Sequence, residues 1–331
     1  MEFRLIKKLK YRLNNLLDGW RYGFLDVPGM MGYDERMNLF KTCRDELSGK
    51  GVAVEFGAFF GASTSAIQQG LKKNKHGRLD TEFHVVDCFR SALTSDFTRL
   101  VRLLARQGNI ENLLYEEDGW LCFDQAFLSN IERIDPNLKI HQVFLSDFLW
   151  ESKPVEFLHL DLPKDWKLAY PIASTIFPDL IPGARVLFQD FGYQWSAELI
   201  AMVGGLIDIG TIKPYRITDT TLSVIVIKPI TQDDVETLNA MMNVPENVIS
   251  AIEIARVACL SFSKSADATV LMAKAQYQYT HGDAKGSYKT LEAVLHHNSF
   301  SKVTLERMAD LFRKAFVSDK SYEKIEEQGV I

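Results

Sequence analysis

A strand, a glycine turn and the start of a helix follow one another over residues 52–64, and this succession constrains the fold more than any other feature of the chain. An apolar run leads into Glu55, and Gly57 and Gly61 follow it, four residues apart. Glycine lets a ligand approach the backbone closely, and the helical pattern over 63–71 begins with N–H groups that lack helical partners. The turn predicts either a nucleotide or cofactor site or a glycine pair placed for packing. A carboxylate before it suits a cation that carries a ribose better than it suits a pyrophosphate.

A second buried strand is predicted over 83–87, and it too ends in an acid. Asp87 lies 30 residues after Gly57, about one helix and one loop further along the chain. In doubly wound sheets an acid at the end of the second strand can hydrogen-bond to ribose hydroxyls. The alternative for Asp87 is a helix cap or a solvated loop acid.

Strands alternate with helices along the first two thirds of the chain, and this alternation predicts an α/β fold with a doubly wound, Rossmann-like sheet. Later strands are predicted over 140–144, 157–161 and 184–189, with a final pair over 212–217 and 222–227 at one edge of the sheet. Helices are predicted over 34–47, 63–73 and 164–180, and residues 94–134 are expected to be mostly helical.

Composition excludes several classes of protein. The net charge of −5 gives no general attraction to nucleic acid, so we expect no nucleic-acid partner. The four cysteines are scattered without a C-x-x-C pair, which argues against a zinc site or a disulfide framework and suits a reducing cytoplasm. No run of eighteen apolar residues is present, so no spanning helix is predicted.

The N-terminal segment 1–32 is predicted to be an amphipathic basic helix followed by a linker. Residues 1–21 carry six basic side chains against two acidic ones, and apolar residues recur at three- and four-residue spacing. Such a helix docks on the protein's own core or on a second subunit. Alternatively it lies on an anionic membrane surface, which would make the protein peripheral to the inner face of the membrane.

A helical extension is predicted over 231–331. Within it, residues 271–295 resemble one tetratricopeptide helical hairpin, with Gly282 and Asp283 as the turn and Ser287 in place of the usual alanine. One repeat cannot bury its own apolar face. We therefore expect it to pack on neighbouring helices such as 304–316, or on a second copy or another protein partner.

The order of these motifs resembles that of class I S-adenosylmethionine-dependent methyltransferases. The pattern runs from Glu55-x-Gly57-x-x-x-Gly61 through Asp87 to Leu158-His159-Leu160-Asp161, and then from Pro182-Gly183 into the run 186–191. It is most similar to the macrocin O-methyltransferase-like group, which modifies sugar hydroxyls. The resemblance covers about 28–230, and the methyltransferase domain is assigned to 33–230.

The resemblance implies S-adenosylmethionine as cofactor. It places Glu55 and the turn near the methionine moiety and the ribose, and Asp87 on the ribose hydroxyls. Cys88 and Phe89 would line the adenine face, and Ser146 and Asp147 its edge, although Asp147 would alternatively cap the next helix. The implied cofactor-binding residues are Glu55, Gly57, Ala58, Phe59, Gly61, Ser63, Asp87, Cys88, Phe89, Ser146 and Asp147.

The reacting groups are expected at the ends of the fourth and fifth strands, at Asp161 and Asp190. Two carboxylates converging there could bind Mg²⁺, which would orient a sugar diol. The chain departs from the group's paired acids, because Lys164 follows Asp161 and Gln189 precedes Asp190. Three alternatives stay open: a metal held by Asp161, Asp190 and Gln189, a Lys164 ammonium that replaces the cation, or Asp161 as a general base without metal.

The sequence therefore predicts an O-methyltransferase that acts on a carbohydrate hydroxyl of a small molecule or glycan, in glycan or glycoconjugate biosynthesis. The alternative is a catalytically degenerate methyltransferase fold that serves as a scaffold through its C-terminal helices. A nicotinamide dehydrogenase is disfavoured because the first turn lacks the Gly-x-Gly-x-x-Gly spacing. His159 alternates away from Asp161 along its strand and is predicted to be a core histidine.

Overall fold

A computed structural model of the protein describes residues 23–76, 81–131, 137–162 and 164–295. The predicted helices 1–21 and 304–316 lie outside these ranges. The described strands are β1 (Val52–Phe56), β2 (Phe83–Asp87), β3 (Arg90–Ala92), β4 (Tyr115–Glu117), β5 (Trp120–Cys122), β6 (Leu138–Gln142), β7 (Val155–Leu160), β8 (Leu180–Phe188), β9 (Ile212–Thr218) and β10 (Thr221–Val226).

Helices separate these strands and follow the last of them. They are α1 (Tyr33–Asp45), α2 (Ala62–Lys72), α3 (Asp96–Gln107), α4 (Asp124–Asn130), α5 (Trp166–Ile176), α6 (Ala197–Ile209), α7 (Gln232–Met242), α8 (Pro245–Cys259), α9 (Lys264–Thr280) and α10 (Ala284–Leu295). Among the described residues, no helix is long and apolar enough to cross a membrane.

The main sheet of the described chain has seven strands in the order β6-β2-β1-β7-β8-β10-β9. The first five run parallel, β10 is antiparallel to β8, and β9 is antiparallel to β10. This is the doubly wound sheet with a reversed final pair that is typical of class I methyltransferases. The predicted fold class and the hairpin at the sheet edge are confirmed.

Helices cover both faces of the sheet. Side chains alternate between the two faces along each strand, so each strand contributes to both cores. One face packs under α1 and α2 and carries Ala53 and Leu187. The other carries Val54 and Phe56, lies under α5 and α6, and continues into a core shared with α7, α8 and α9.

The C-terminal helices complete the core of the sheet. Helix α6 approaches α8 so closely that a Cβ on Gly204 would lie 1.9 Å from the carbonyl oxygen of Ala251. The domain boundary at 230 stays a prediction, but the helices on its two sides pack in one core.

The expectation that 94–134 is mostly helical was wrong in its middle. Residues 115–122 form a β-hairpin in which Glu117 pairs with Trp120, and β3 joins it as a third strand. Asp118 and Gly119 both have positive φ, +47° and +83°, which is the requirement of a type I′ turn. The Asp-Gly pair was the sequence signal for this hairpin, but the strands beside it are three residues each.

The position of Pro182 and Gly183 was also wrong, because they lie inside β8 and not before it. Val155 pairs with Leu180, and the next pair joins Phe157 to Arg185, so the pairing of β8 with β7 skips several residues of β8. Gly183 has a φ of +93° within this irregular stretch, which glycine adopts without strain.

The predicted C-terminal hairpin is formed by α9 and α10, with Gly282 at a φ of +84° in the turn. Ser287 is buried, and its hydroxyl donates a hydrogen bond to the carbonyl of Ala275 at 2.7 Å. A serine therefore replaces the expected alanine without an unpaired hydroxyl. The tetratricopeptide resemblance stays a prediction.

Candidate active site

The candidate site lies at the edge where the carboxyl ends of the central parallel strands meet. The residues that follow β1, β2, β7 and β8 are Gly57, Cys88, Asp161 and Gln189. The turn between β9 and β10 lies at the same edge, since Gly192 donates its N–H to the carbonyl of Thr220 at 2.9 Å. In open α/β sheets this edge is where ligands bind.

Both glycines of the turn after β1 are required by close packing within the protein. Gly57 has a φ of +88°, and a Cβ there would lie 3.1 Å from the backbone of Asp161 and of Leu162. Gly61 has a φ of +91°, and a Cβ there would lie 3.2 Å from Phe127 and Ile131. The packing explanation of the glycine pair is confirmed, and the cofactor contact of this turn stays a prediction.

Asp87 joins the end of β2 to the glycine turn. One carboxylate oxygen, Oδ2, accepts hydrogen bonds from the N–H groups of Ala58 at 2.9 Å and Phe59 at 3.0 Å, and Oδ1 accepts from that of Phe89 at 2.7 Å. Burial raises the pKa of Asp87, and the three N–H groups oppose that rise. A carboxylate has about four acceptor positions, so Oδ1 keeps one, and the predicted contact of Asp87 with ribose stays a prediction.

Glu55 is turned into the core. Its Oε2 accepts a hydrogen bond from the hydroxyl of Thr64 at 2.5 Å, and its Oε1 lies 3.1 Å from Nδ1 of His159. Both Glu55 and His159 are fully buried, so His159 is confirmed as a core histidine. Both oxygens of Glu55 serve to join β1 to α2 and β7, and its predicted contact with the methionine moiety stays a prediction.

The residues predicted around the adenine differ in accessibility. Phe89 is buried against Phe127, with ring centroids 4.4 Å apart, whereas Cys88 is half-buried. Ser146 and Asp147 are exposed after β6, and the Ser146 hydroxyl donates to Asp147 at 3.1 Å. The backbone becomes extended at Phe148, so the alternative that Asp147 caps a following helix is wrong.

Ser63 lies buried in the first turn of α2, next to the glycine turn. Its predicted contact with the cofactor stays a prediction.

The three predicted catalytic residues come together at one ammonium group. Nζ of Lys164 lies 3.1 Å from Oδ1 of Asp161 and 3.1 Å from the Asp161 carbonyl oxygen, and it also contacts Oδ2 of Asp190. All three side chains keep some contact with solvent, with exposed fractions of 23% for Asp161, 34% for Lys164 and 19% for Asp190. A ligand at the sheet edge can therefore reach them.

The surroundings of Asp161 raise the pKa of its carboxyl toward neutral pH. Burial raises the pKa of Asp161 to about 6, against the lowering effects of Lys164 and His159. Burial would lower the pKa of Lys164, but Asp161 and Asp190 outweigh it and the pKa is raised. At neutral pH the lysine is charged, and Asp161 is in a position to exchange a proton.

Gln189, the third predicted metal ligand, is committed to another network. Its Nε2 donates to Oε1 of Glu35 at 3.0 Å, and its Oε1 accepts the hydroxyl of Thr221 at 2.5 Å. The same Glu35 oxygen accepts from the hydroxyl of Thr220 at 2.7 Å. Sequence reasoning missed Glu35, whose local signal is that of a helix start: it lies in the first turn of α1 and accepts the N–H of Gly32.

An aromatic pair follows β8 beside the three catalytic candidates. The rings of Tyr193 and Trp195 stack with centroids 5.2 Å apart and an interplanar angle of 11°, and they are 39% and 54% exposed. The N–H of Tyr193 donates to the carbonyl of Asp190 at 3.0 Å, which fixes the loop beside that residue. Burial raises the pKa of the Tyr193 hydroxyl, and Asp190 and Glu35 add to that rise. Two aromatic residues in a short loop after the fifth strand were the overlooked sequence signal.

The donor set does not fit a divalent cation. The described ranges contain no group of three or more His, Cys, Asp or Glu side chains that could hold a metal ion. Lys164 already contacts both predicted carboxylate ligands, and Gln189 is engaged elsewhere. The residues fit S-adenosylmethionine better, because Asp87 keeps an acceptor position at the turn and the sheet edge is open beside Asp161.

Comparison with known proteins gives likenesses among solved structures. No protein-family model and no curated protein matches the chain. The O-methyltransferase NovP is 14% identical with a TM-score of 0.45, covering 60% of this chain and 82% of its own. CalS11, a TDP-rhamnose 3′-O-methyltransferase of calicheamicin biosynthesis, is 15% identical with a TM-score of 0.37, covering 58% and 76%. The S-adenosylhomocysteine-bound PaMTH1 of Podospora anserina is 12% identical with a TM-score of 0.37, covering 60% and 80%.

Proposed function

We propose that this protein is an S-adenosylmethionine-dependent O-methyltransferase that acts on a carbohydrate hydroxyl. The observation that carries the proposal is the convergence of Asp161, Lys164 and Asp190, all partly exposed, at the carboxyl edge of the central strands. Burial raises the pKa of Asp161 to about 6, which supports a role for it as a base. A general base works best when its pKa lies near the operating pH. Few surface carboxyls meet that condition, and this one lies beside the glycine turn.

Asp161 takes the proton of the acceptor hydroxyl. When bound, S-adenosylmethionine would supply a methyl group on a sulfonium, with the thioether as the leaving group for in-line transfer to the acceptor oxygen. Lys164 holds Oδ1 of Asp161, which leaves Oδ2 to receive the proton. Asp190 shares the ammonium and keeps the lysine beside Asp161. Holding the two reactants in line accounts for most of what such a site must do.

The cofactor would be held by the residues around the glycine turn. Asp87 binds one ribose hydroxyl through the free position on Oδ1, and Ser146 and Asp147 border the adenine from the end of β6. Cys88, the half-buried residue that follows Asp87, would line the adenine face.

The aromatic pair favours a sugar as acceptor. Carbohydrate rings present an apolar C–H face and a polar rim, and binding sites join apolar surfaces with a few placed polar groups. The stacked rings of Tyr193 and Trp195 offer such an apolar surface, and Asp161 and Asp190 offer the polar groups for its hydroxyls. A role in glycan or glycoconjugate assembly follows from this choice of acceptor.

Calorimetric titration with S-adenosylmethionine and S-adenosylhomocysteine, with and without Mg²⁺, tests the proposal first. We expect micromolar binding that does not depend on Mg²⁺, followed by methyl transfer in a screen of sugar acceptors. Asp161→Asn should retain cofactor binding and lose turnover. Cofactor binding with full turnover in both Asp161→Asn and Asp190→Asn would contradict the residue assignment.

A scaffold without catalysis is the second candidate. It is favoured by the glycine turn, where both glycines are needed for packing and three acceptor positions of Asp87 are filled by backbone N–H groups. An apolar groove lined by Ile249 and Val257 of α8 and by Lys274 of α9 would then be a working surface. The absence of binding of either cofactor form in the titration would favour this candidate.

A further inference from the structure

We propose that Lys164 stands in the place of a divalent cation, so that the site works without metal and becomes a metal site when the lysine is removed. The inference deepens the proposed function, because it states how the same site carries its positive charge. The three contacts of Nζ join oxygens from the ends of two strands: Oδ1 and the carbonyl oxygen of Asp161, and Oδ2 of Asp190. An ammonium has three N–H donors, and all three have an oxygen here.

Two carboxylates hold the positive charge of Lys164 at this position. The ammonium of Lys164 lies between two carboxylates, at 3.1 Å from Oδ1 of Asp161 and in contact with Oδ2 of Asp190. A metal would compete with the ammonium for the same oxygens. Mg²⁺ also requires near-octahedral oxygen coordination and gives up its bound water reluctantly. We therefore expect Mg²⁺ not to displace the Lys164 ammonium from these oxygens.

Gln189 is not available as a third metal ligand. A third ligand would be the side-chain oxygen of Gln189, but Thr221 donates to it at 2.5 Å and the amide nitrogen is bound to Glu35. Releasing Gln189 would leave buried polar groups of this network without partners, which is costly.

The backbone at Asp190 has a φ of +62°, in the left-handed region. Aspartate adopts this region more readily than most residues other than glycine, because its short polar side chain can hydrogen-bond locally. In this conformation the Asp190 carboxylate contacts Lys164.

Removing the lysine should therefore open a cation site. In Lys164→Ala, Asp161 and Asp190 face each other without a counter-charge, and two like charges at short range favour the binding of a cation. Lys167→Ala is the matched control, because Lys167 lies three residues along on the exposed face of α5.

The test is a titration of the full chain with Mn²⁺. Binding is measured by electron paramagnetic resonance and by the shift in Tm. We expect wild type and Lys167→Ala to bind Mn²⁺ only weakly, and Lys164→Ala to bind it at least ten times more tightly than either, with a rise in Tm when Mn²⁺ is added. Lys164→Ala/Asp190→Asn should lose that binding. If Lys164→Ala does not fold, Lys164→Ser replaces it in every arm.

Two results would overturn the inference: Mn²⁺ binding to wild type that Asp161→Asn abolishes, or a folded Lys164→Ala that binds no Mn²⁺. S-adenosylmethionine is titrated into the same wild-type sample. A lack of cofactor binding would count against the proposed function alone, since the Mn²⁺ result does not depend on it.

Discussion

Gln189 donates a hydrogen bond to Glu35 at 3.0 Å, across 154 positions of sequence and between a strand end and the first turn of α1. The contact joins the candidate site to the first helix of the sheet domain. It also explains why the residue before Asp190 is an amide and not an acid, because a carboxylate there would face Glu35 in a buried setting.

Gln189→Glu is expected to destabilise the protein at pH 7 by roughly 3 kcal/mol, because it leaves a buried charge without compensation. Repulsion and burial raise the folded-state pKa of the new carboxyl, so the lost stability should return as the pH falls through that value. Urea unfolding at pH 7 and pH 5 measures both effects. The double variant Gln189→Glu/Glu35→Gln should recover most of the stability, and equal loss in single and double variants would contradict the explanation.

The pH dependence of methyl transfer should show a rising limb with an apparent pKa of about 6, because Asp161 accepts a proton only when it is ionised. Activity is lost below that pH and is constant above it. Initial rates of S-adenosylhomocysteine formation at saturating cofactor report this limb. Lys164→Gln removes a group that lowers the pKa of Asp161, so its limb should move to higher pH. An unchanged limb would remove Asp161 as the titrating base.

Asp87→Asn should weaken S-adenosylmethionine binding at least tenfold and lower the stability by about 1–3 kcal/mol, since an amide nitrogen would face a backbone N–H in a buried position. Calorimetry and thermal unfolding measure the two effects. Asp118→Asn is the control: asparagine suits its exposed, positive-φ turn position, so both quantities should stay at the wild-type value. A stable Asp87→Asn variant with normal affinity would mean that Asp87 neither supports the turn nor contacts ribose.

Trp195→Ala should raise the KM for the sugar acceptor about threefold to tenfold, in line with the 0.5–1.5 kcal/mol of an aromatic contact, and leave the cofactor Kd unchanged. Steady-state kinetics with a sugar identified in the acceptor screen provide the measurement. Phe262→Ala removes an exposed aromatic ring from the connection between α8 and α9 and should change neither value. Equal KM values for wild type and Trp195→Ala would exclude the ring from acceptor binding.

Gly204→Ala should destabilise the protein by about 3 kcal/mol, the upper range for overpacking, because its Cβ would meet the backbone carbonyl of Ala251. Gly205→Ala on the same helix would meet side-chain atoms of Leu238 and Met241, which can move, and should cost less. Urea unfolding of both variants decides the order. The reverse order would show that α6 and α8 can separate without penalty.

The elements that sequence patterns locate well are those with strong local signals. The bounds of β1 and β2 agree with the prediction because each is an apolar run that ends in a glycine turn or an acid. The hairpin over 115–122 was missed because strands of three residues show no periodicity, although Asp118 and Gly119 carried the turn signal.

The site was predictable as far as strand ends determine it. Asp161 and Asp190 were expected to meet because parallel strands share an edge, and Lys164 joins them. The contact of Glu35 with Gln189 could not be predicted, because it depends on how α1 packs across the sheet. The hydrogen bonds of Asp87 with two N–H groups of the glycine turn and with that of Phe89 likewise depend on side-chain geometry, which residue type alone does not determine.

The close approach of Gly204 to Ala251 has a consequence for the order of events during synthesis. Helix α6 emerges from the ribosome with an apolar surface that α8 helps to cover, and α8 begins 36 positions after α6 ends. The sheet can pair its strands before then, but the part of α6 that packs on α8 stays open to water and to other nascent chains. Chaperone contact is therefore expected to concentrate in the interval between the release of these two helices.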